Sequence, residues 1–280
     1  MKSALLGLVV EDPMNRHPAY ELYTNFLKTS LVGLRYGTVP PVDSGRLLDE
    51  AKQKFGDGLV CGLTADSLAW LLCENARLAD TLAPPTQLDA LQSCLEEVIA
   101  EAIPGDVIEA GCYRGGQCVL MAGVLKALDA GDRKIFAADS FAGLPEPDPQ
   151  ESPDDAIFYH LLESIGRFRS SLDEVNDTLR RYNLLGGRVV PIPGWFRDSL
   201  KRAPIESLAL IRLDATFHRS THDALEALYP KLSRGGFLIC ADYGVPTGAR
   251  RAVDEYRLEY GIEEPLLEID GQGVLWRREN

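Results

Sequence analysis

Two short segments carry residue types that can hold an adenosine. The run from Gly105 to Gly116 is an apolar stretch that ends in glycines and leads straight into a helical pattern. Glycine at Gly111, Gly115 and Gly116 lets a ligand approach the backbone at the carboxyl end of a strand, the usual ligand crevice of an open α/β sheet. The spacing is E-x-G-x-x-x-G-G from Glu109, not G-x-G-x-x-G, so a turn that presents a helix N-terminus to a dinucleotide pyrophosphate is not specified. That argues against a nicotinamide-dependent dehydrogenase. A second strand ends at Asp139, where an acid can accept both hydroxyls of a ribose. Each signal is weak alone. Together, in this order on consecutive strands, they favour an adenosine cofactor.

These residues need a scaffold, and the chain supplies one from residue 106 onward. Short β-rich runs at 107–110, 134–138, 188–192, 208–213 and 237–241 alternate with amphipathic stretches at 117–130, 172–182, 220–232 and 246–260. Such alternation predicts βαβ units and a parallel sheet. In the third stretch Ala224, Leu225, Leu228 and Leu232 recur at helical spacing, and Gly235-Gly236 is read as its stop. The runs 266–269 and 274–277, joined by Asp270-Gly271-Gln272-Gly273, predict a closing hairpin. Before residue 105 only helical patches stand, at 20–30, 44–55 and 88–102, separated by Pro40-Pro41 and Pro84-Pro85. A segment with no sheet of its own is expected to cap the larger unit.

Composition sets outer limits. With 280 residues, 45% of them hydrophobic, the chain can build one large α/β core with a helical appendage. A formal net charge of −13 repels a phosphate backbone, so nucleic acid is not expected as a partner. The local basic pairs Arg250-Arg251 and Arg277-Arg278 have acids close by and read as solvated surface. Six cysteines, Cys61, Cys73, Cys94, Cys112, Cys118 and Cys240, form no C-x-x-C pair and suggest neither a zinc site nor a disulfide framework. Glu11, Asp12 and Pro13 interrupt the apolar start, so no signal peptide is expected. No apolar run reaches the length of a membrane span, and a cytoplasmic location is the expectation.

Longer motifs then stand in order: Asp139-Ser140-Phe141-Ala142-Gly143-Leu144-Pro145-Glu146-Pro147-Asp148, Gly194-Trp195-Phe196-Arg197-Asp198-Ser199-Leu200, and Leu210-Ile211-Arg212-Leu213-Asp214. With Ser220-Thr221, Asp242-Tyr243 and Gly273-Val274-Leu275-Trp276, they resemble the macrocin O-methyltransferase family over roughly residues 80 to 280. That family contains the sugar O-methyltransferases of macrolide and aminocoumarin antibiotic biosynthesis. The resemblance implies a doubly wound, Rossmann-like class I S-adenosylmethionine (SAM)-dependent methyltransferase sheet with a C-terminal antiparallel hairpin. It implies an N-terminal helical cap, dimerisation and lid segment over 1–80 and a SAM-binding domain over 81–280. It further implies a small-molecule acceptor carrying a sugar, no membrane partner, and a homodimer built partly through the N-terminal helices.

By the same resemblance Glu109, Gly111 and Arg114 lie along the methionine of SAM, beside the Gly115 turn, and Asp139 binds the ribose. Ser140 and Phe141 border the adenine, Trp195 closes the pocket, and Thr81 touches the cofactor. The family's chemistry normally rests on magnesium, held by an Asp at the end of strand four and two consecutive Asp at the end of strand five. Here Asp214 and Asp242 remain, but Ala241 replaces one acid of the pair, and Thr216 stands where a second Asp usually follows the first. Asp214 and Asp242 are the expected metal ligands, since magnesium can rest on one or two carboxylates with substrate and waters. Alternatively no metal is used, and His218, His222 or His160 takes the hydroxyl proton, a role suited to an unperturbed pKa of about 6.5. Three readings follow: a metal-assisted sugar O-methyltransferase, a metal-independent methyltransferase on a different acceptor, or a non-catalytic SAM-binding homologue.

Overall fold

The computed structural model describes residues 18–33, 53, 79–166, 168–245 and 247–279. The elements in chain order are α1 (Pro18–Leu31), α2 (Pro85–Ala100), β1 (Asp106–Ala110), α3 (Gly116–Ala127), β2 (Ile135–Asp139), α4 (Pro153–Ile165), α5 (Leu172–Arg181) and β3 (Val189–Pro193). There follow α6 (Phe196–Arg202), β4 (Leu208–Leu213), α7 (His218–Leu228), β5 (Leu232–Cys240), α8 (Ala249–Glu259), β6 (Leu267–Glu268) and β7 (Val274–Arg277). The predicted helix over 44–55, the chain start, Cys61 and Cys73 lie outside the described residues.

β1, β2 and β4 read as nearly unbroken apolar runs because helices cover both faces of a parallel sheet. The strand order is β3-β2-β1-β4-β5-β7-β6, with β7 antiparallel to β5 and to β6, so the expected doubly wound sheet with a closing hairpin is what forms. One face packs Leu27 and Leu31 of α1, Leu88, Leu91 and Leu95 of α2, α3, and Val175 and Leu179 of α5 into a single cluster. The other packs Leu200 of α6, Ala224, Leu225 and Leu228 of α7, and Val253 and Tyr256 of α8. Residues 18–33 thus share the core of the sheet. Arg277 of β7 reaches Glu97 of α2 at 2.9 Å, so this arginine, read as solvated surface, ties the last strand to a helix.

Two expectations need correction. The helix predicted over 220–232 ends at Leu228, and Gly235-Gly236 lies inside β5. Gly235 has φ +83°, and a Cβ on Gly236 would stand 2.7 Å from the Ala209 carbonyl oxygen, so the pair serves an irregular strand pressed against its neighbour. Second, the segment holding His160, read as a long loop, contains the 13-residue helix α4. Its start signals were present in the sequence: Ser152 at the cap, Pro153 in the first turn, and Asp154 and Asp155 beside the positive helix end. Gly166, left-handed at φ +68°, ends it.

Candidate active site at the carboxyl ends of the strands

Three loops meet where β1, β2 and β4 end, and each holds a non-glycine residue at positive φ: Tyr113 at 48°, Phe141 at 52° and Thr216 at 61°. Such conformations cost energy and persist where the surroundings fix them, which marks this edge of the sheet. Gly111 has φ +95°, and a Cβ there would fall 1.9 Å from the Asp214 carbonyl oxygen, so the turn after β1 presses against the end of β4. Two adjoining cavities of about 530 and 510 Å³ open above these loops and share Gly111, Asp139, Leu144 and Asp214. The first runs between the loops after β2 and β3 and the start of α7, past Ser140, Trp195, Ala215 and His218. The second lies under α4, walled by Thr81, Gln87, Phe158, Leu162, Asp242 and the hairpin turn 270–272.

Asp139 stands at the junction. Its two carboxylate oxygens accept from the backbone N–H of Tyr113 at 3.1 Å and of Phe141 at 3.0 Å, which fixes the group at the end of β2. Burial pushes its pKa up, and these N–H donors oppose the shift. Thr81 reaches the second cavity because Asp80 is held by Arg181 at 2.6 Å and by the Tyr182 hydroxyl at 2.9 Å, while its carbonyl accepts from Gly116 N–H.

Beneath the junction lies a fully buried ion pair. Glu109 of β1 and Arg212 of β4 are register partners, and Arg212 Nη1 donates to Glu109 Oε1 and, at 2.9 Å, to Asp214 Oδ2. Arg212 Nη2 also donates to Gln87 Oε1 at 3.3 Å, and Gln87 Nε2 to the Ala241 carbonyl at 3.2 Å. Burial raises the Glu109 carboxyl pKa against the pull of Arg212. The signal for this pair was legible: Arg212 is the lone charged residue of β4, and Glu109 follows the apolar Val107 and Ile108 inside β1, where a sheet tolerates a charge only with a partner. Asp155 of α4 went unread. It is buried and accepts from His218 N–H at 2.8 Å, Gly248 N–H at 2.6 Å and the Ser152 hydroxyl at 2.8 Å, so it pins α4 to the starts of α7 and α8.

The sequence profile of the macrocin-O-methyltransferase family (TylF) matches residues 64–278. The chain belongs to this family. It is 42% identical over 202 residues to the mycinamicin III 3''-O-methyltransferase of Micromonospora griseorubida, covering 72% of this chain and 79% of that protein. It is 44% identical over 200 residues to the 8-demethyl-8-(2,3-dimethoxy-alpha-L-rhamnosyl)-tetracenomycin-C 4'-O-methyltransferase of Streptomyces olivaceus, covering 71% and 76%. Among solved structures, the O-methyltransferase NovP is 34% identical, with a TM-score of 0.76 over 93% of this chain and all of its own. The chain is therefore a methyltransferase of the macrocin family, and S-adenosylmethionine is its methyl donor.

Of the residues the family resemblance assigned to SAM, Thr81, Gly111, Asp139, Ser140, Trp195 and Asp214 line the cavities. Glu109 does not: it is sealed below the floor, paired with Arg212. Arg114 turns away to the Ala79 carbonyl at 3.1 Å, and Gly115 caps α3 against Val175. Phe141 contributes its N–H to Asp139 while its ring packs on the core beneath. Among the histidines, His160 on α4 and His222 on α7 line neither cavity. His218 borders the first cavity, with Nε2 2.7 Å from Glu255.

The family's magnesium does not fit the donors present. Among the described residues no three His, Cys, Asp or Glu side chains gather into a metal-holding group. Asp214 is ion-paired with Arg212, and Asp242 Oδ2 accepts from the Thr216 hydroxyl at 3.0 Å. Ala241 offers only a carbonyl that Gln87 already engages. The expected ligand pair Asp214 and Asp242 is therefore two carboxylates, each with an oxygen tied to a protein donor, and the two further acids of the family pattern are absent at 216 and 241. Burial and the adjacent Asp214 carboxylate push the Asp242 pKa up.

Proposed function

We propose that this chain methylates a hydroxyl group on the sugar of a natural-product glycoside. The observation that carries the reading is the meeting of two cavities at Gly111, Asp139 and Asp214, one sized for an adenosine and one for an acceptor. Support comes also from the relatives, whose names specify 3''-O-methylation of mycinamicin III and 4'-O-methylation of a rhamnosyl-tetracenomycin.

When bound, SAM supplies a methyl group activated on a sulfonium sulfur. Asp139 accepts the ribose hydroxyls at the end of β2, and the Gly111 turn admits the methionine close to the backbone. Trp195, 39% exposed on the rim, covers the nucleoside. The second cavity joins a polar wall, Thr86, Gln87, Asp270 and Gln272, to an apolar one, Phe158, Leu162, Phe168 and Val245, which suits a sugar bearing an apolar aglycone. Holding hydroxyl oxygen, methyl carbon and sulfur in line is the main contribution such a site makes to rate.

The assembly we propose is a cytoplasmic homodimer joined partly through the N-terminal helices. Leu22 and Phe26 of α1, 74% and 51% exposed, support such a contact. Titration calorimetry should show SAM binding at about micromolar or tighter affinity (roughly −8 kcal/mol), and Asp139→Ala should weaken it. Glycosides of macrolide, aminocoumarin and tetracenomycin type that lack one sugar O-methyl group are the acceptors to assay by mass spectrometry. SAM affinity indifferent to Asp139→Ala, or no product from any of them, would count against the reading.

A further inference from the structure

We infer that methyl transfer by this chain proceeds without a divalent cation, and that Asp242 receives the proton of the acceptor hydroxyl. The inference rests on the O-methyltransferase reading above. Asp214 Oδ2 takes a hydrogen bond from Arg212, Asp242 Oδ2 takes one from Thr216, and the Ala241 carbonyl takes one from Gln87. Gln87 in turn accepts from Arg212, so one buried guanidinium reaches Glu109 and Asp214 directly and Ala241 through an amide. With threonine at 216 and alanine at 241, two of the carboxylates that would call for a cation are absent. Magnesium can rest on one or two carboxylates completed by substrate and waters, but here each remaining carboxylate spends an oxygen on a protein donor and the two further acids of the family pattern are absent.

The proton must then go to a side chain. Asp214 is ion-paired with Arg212 through Oδ2. His160 and His222 line neither cavity, and His218 faces Glu255. Thr216 has given its hydroxyl hydrogen to Asp242. Asp270 on the same wall has both oxygens engaged, one by Thr86 and the other by the N–H groups of Gln272 and Gly273, so Asp242 remains, beside Val245 and opposite Phe158 and Leu162 of α4. Thr216 is β-branched at φ +61°, a conformation such residues avoid, and this strained backbone aims its hydroxyl at Asp242. That contact orients one carboxylate oxygen, and the Asp214 carboxylate stands beside the group.

The step balances as follows. The acceptor oxygen attacks the methyl carbon, the new O–C bond forms as the C–S bond breaks, and the C–S electron pair goes to sulfur to give a neutral thioether. The hydroxyl proton passes to the Asp242 carboxylate and then to solvent.

Two arms test this on the full chain. In the first, Mn²⁺ binding is followed by electron paramagnetic resonance with S-adenosylhomocysteine present. Wild type should bind no Mn²⁺ below about millimolar, while Thr216→Asp/Ala241→Asp should gain a site at least about tenfold tighter, or 1.4 kcal/mol. A micromolar site in wild type that Asp242→Asn removes overturns the inference. In the second arm, with a glycoside the protein turns over, wild-type kcat should persist in excess chelator. Asp242→Asn should lower kcat by about a hundredfold or more with SAM affinity kept, and Asp242→Glu should recover part of it. Activity lost to chelator and restored by magnesium, or full kcat in Asp242→Asn, overturns the inference. A screen that yields no product overturns the reading beneath it, and Mn²⁺ binding still decides the inference.

Discussion

Arg212 holds a guanidinium with no exposure to water, balanced by Glu109, Asp214 and Gln87. Removing it by Arg212→Met leaves buried carboxylates without their counterion, a loss of about 3–5 kcal/mol. Replacing both strand partners, Glu109→Leu with Arg212→Met, should cost clearly less than the single change. Urea melts of both variants measure this, and additive losses would show that the pair does not act as a unit. Asp139 gives a second expectation. Burial holds its carboxyl above the ordinary aspartate pKa of about 3.9, and only the charged form accepts two ribose hydroxyls well. Affinity for SAM should therefore fall on acidification, at a pH above that at which a free aspartate titrates. Calorimetry across pH, with Asp139→Asn as the flat control, checks the sign.

The element that deserves a test of its own is α4. Its apolar side, Phe158, Leu161 and Leu162, meets Phe217, Leu144 and Val245, and Asp155 anchors it to two helix N-termini. Asp155→Ala orphans two N–H donors, the buried one of Gly248, at a cost of about 1–3 kcal/mol, and the part-buried one of His218. Amide exchange should quicken across 153–165 and at the start of α7, while the core strands β1 and β4 keep their protection. Uniform loss across the sheet would place Asp155 in global stability instead. The helix itself was legible from its caps. Its position over the second cavity was not, because Asp155 meets residues 63 and 93 positions away.

For the whole molecule, two measurements bear on assembly and core. If α1 joins two copies, Leu22→Asp/Phe26→Asp should sediment as a monomer where wild type sediments as a dimer; a wild-type monomer removes that contact. Cys94, Cys112, Cys118 and Cys240 are buried in the two clusters flanking the sheet, and burial raises every one of these thiols, Cys240 to about 12. They should resist iodoacetamide in the native protein and react once denaturant unfolds it. Mass spectrometry of the four peptides reads the result, and fast native labelling of any of them would contradict its burial.

The sequence alone determined the sheet, its closing hairpin and the strand ends where the cavities open, because these rest on local signals: apolar runs of strand length, glycines at forced turns, and an acid at a strand end. It also identified Ala241 and Thr216 as departures from the family pattern. What those departures mean was decided only by tertiary structure. Glu109 became a buried counterion, the histidines fell away from the acceptor cavity, and Arg212 and Gln87 closed a circuit around Asp214 and Ala241. Charge balance in a buried site depends on distances between residues far apart in the chain, here 125 positions between Gln87 and Arg212, and spacing along one strand does not encode them.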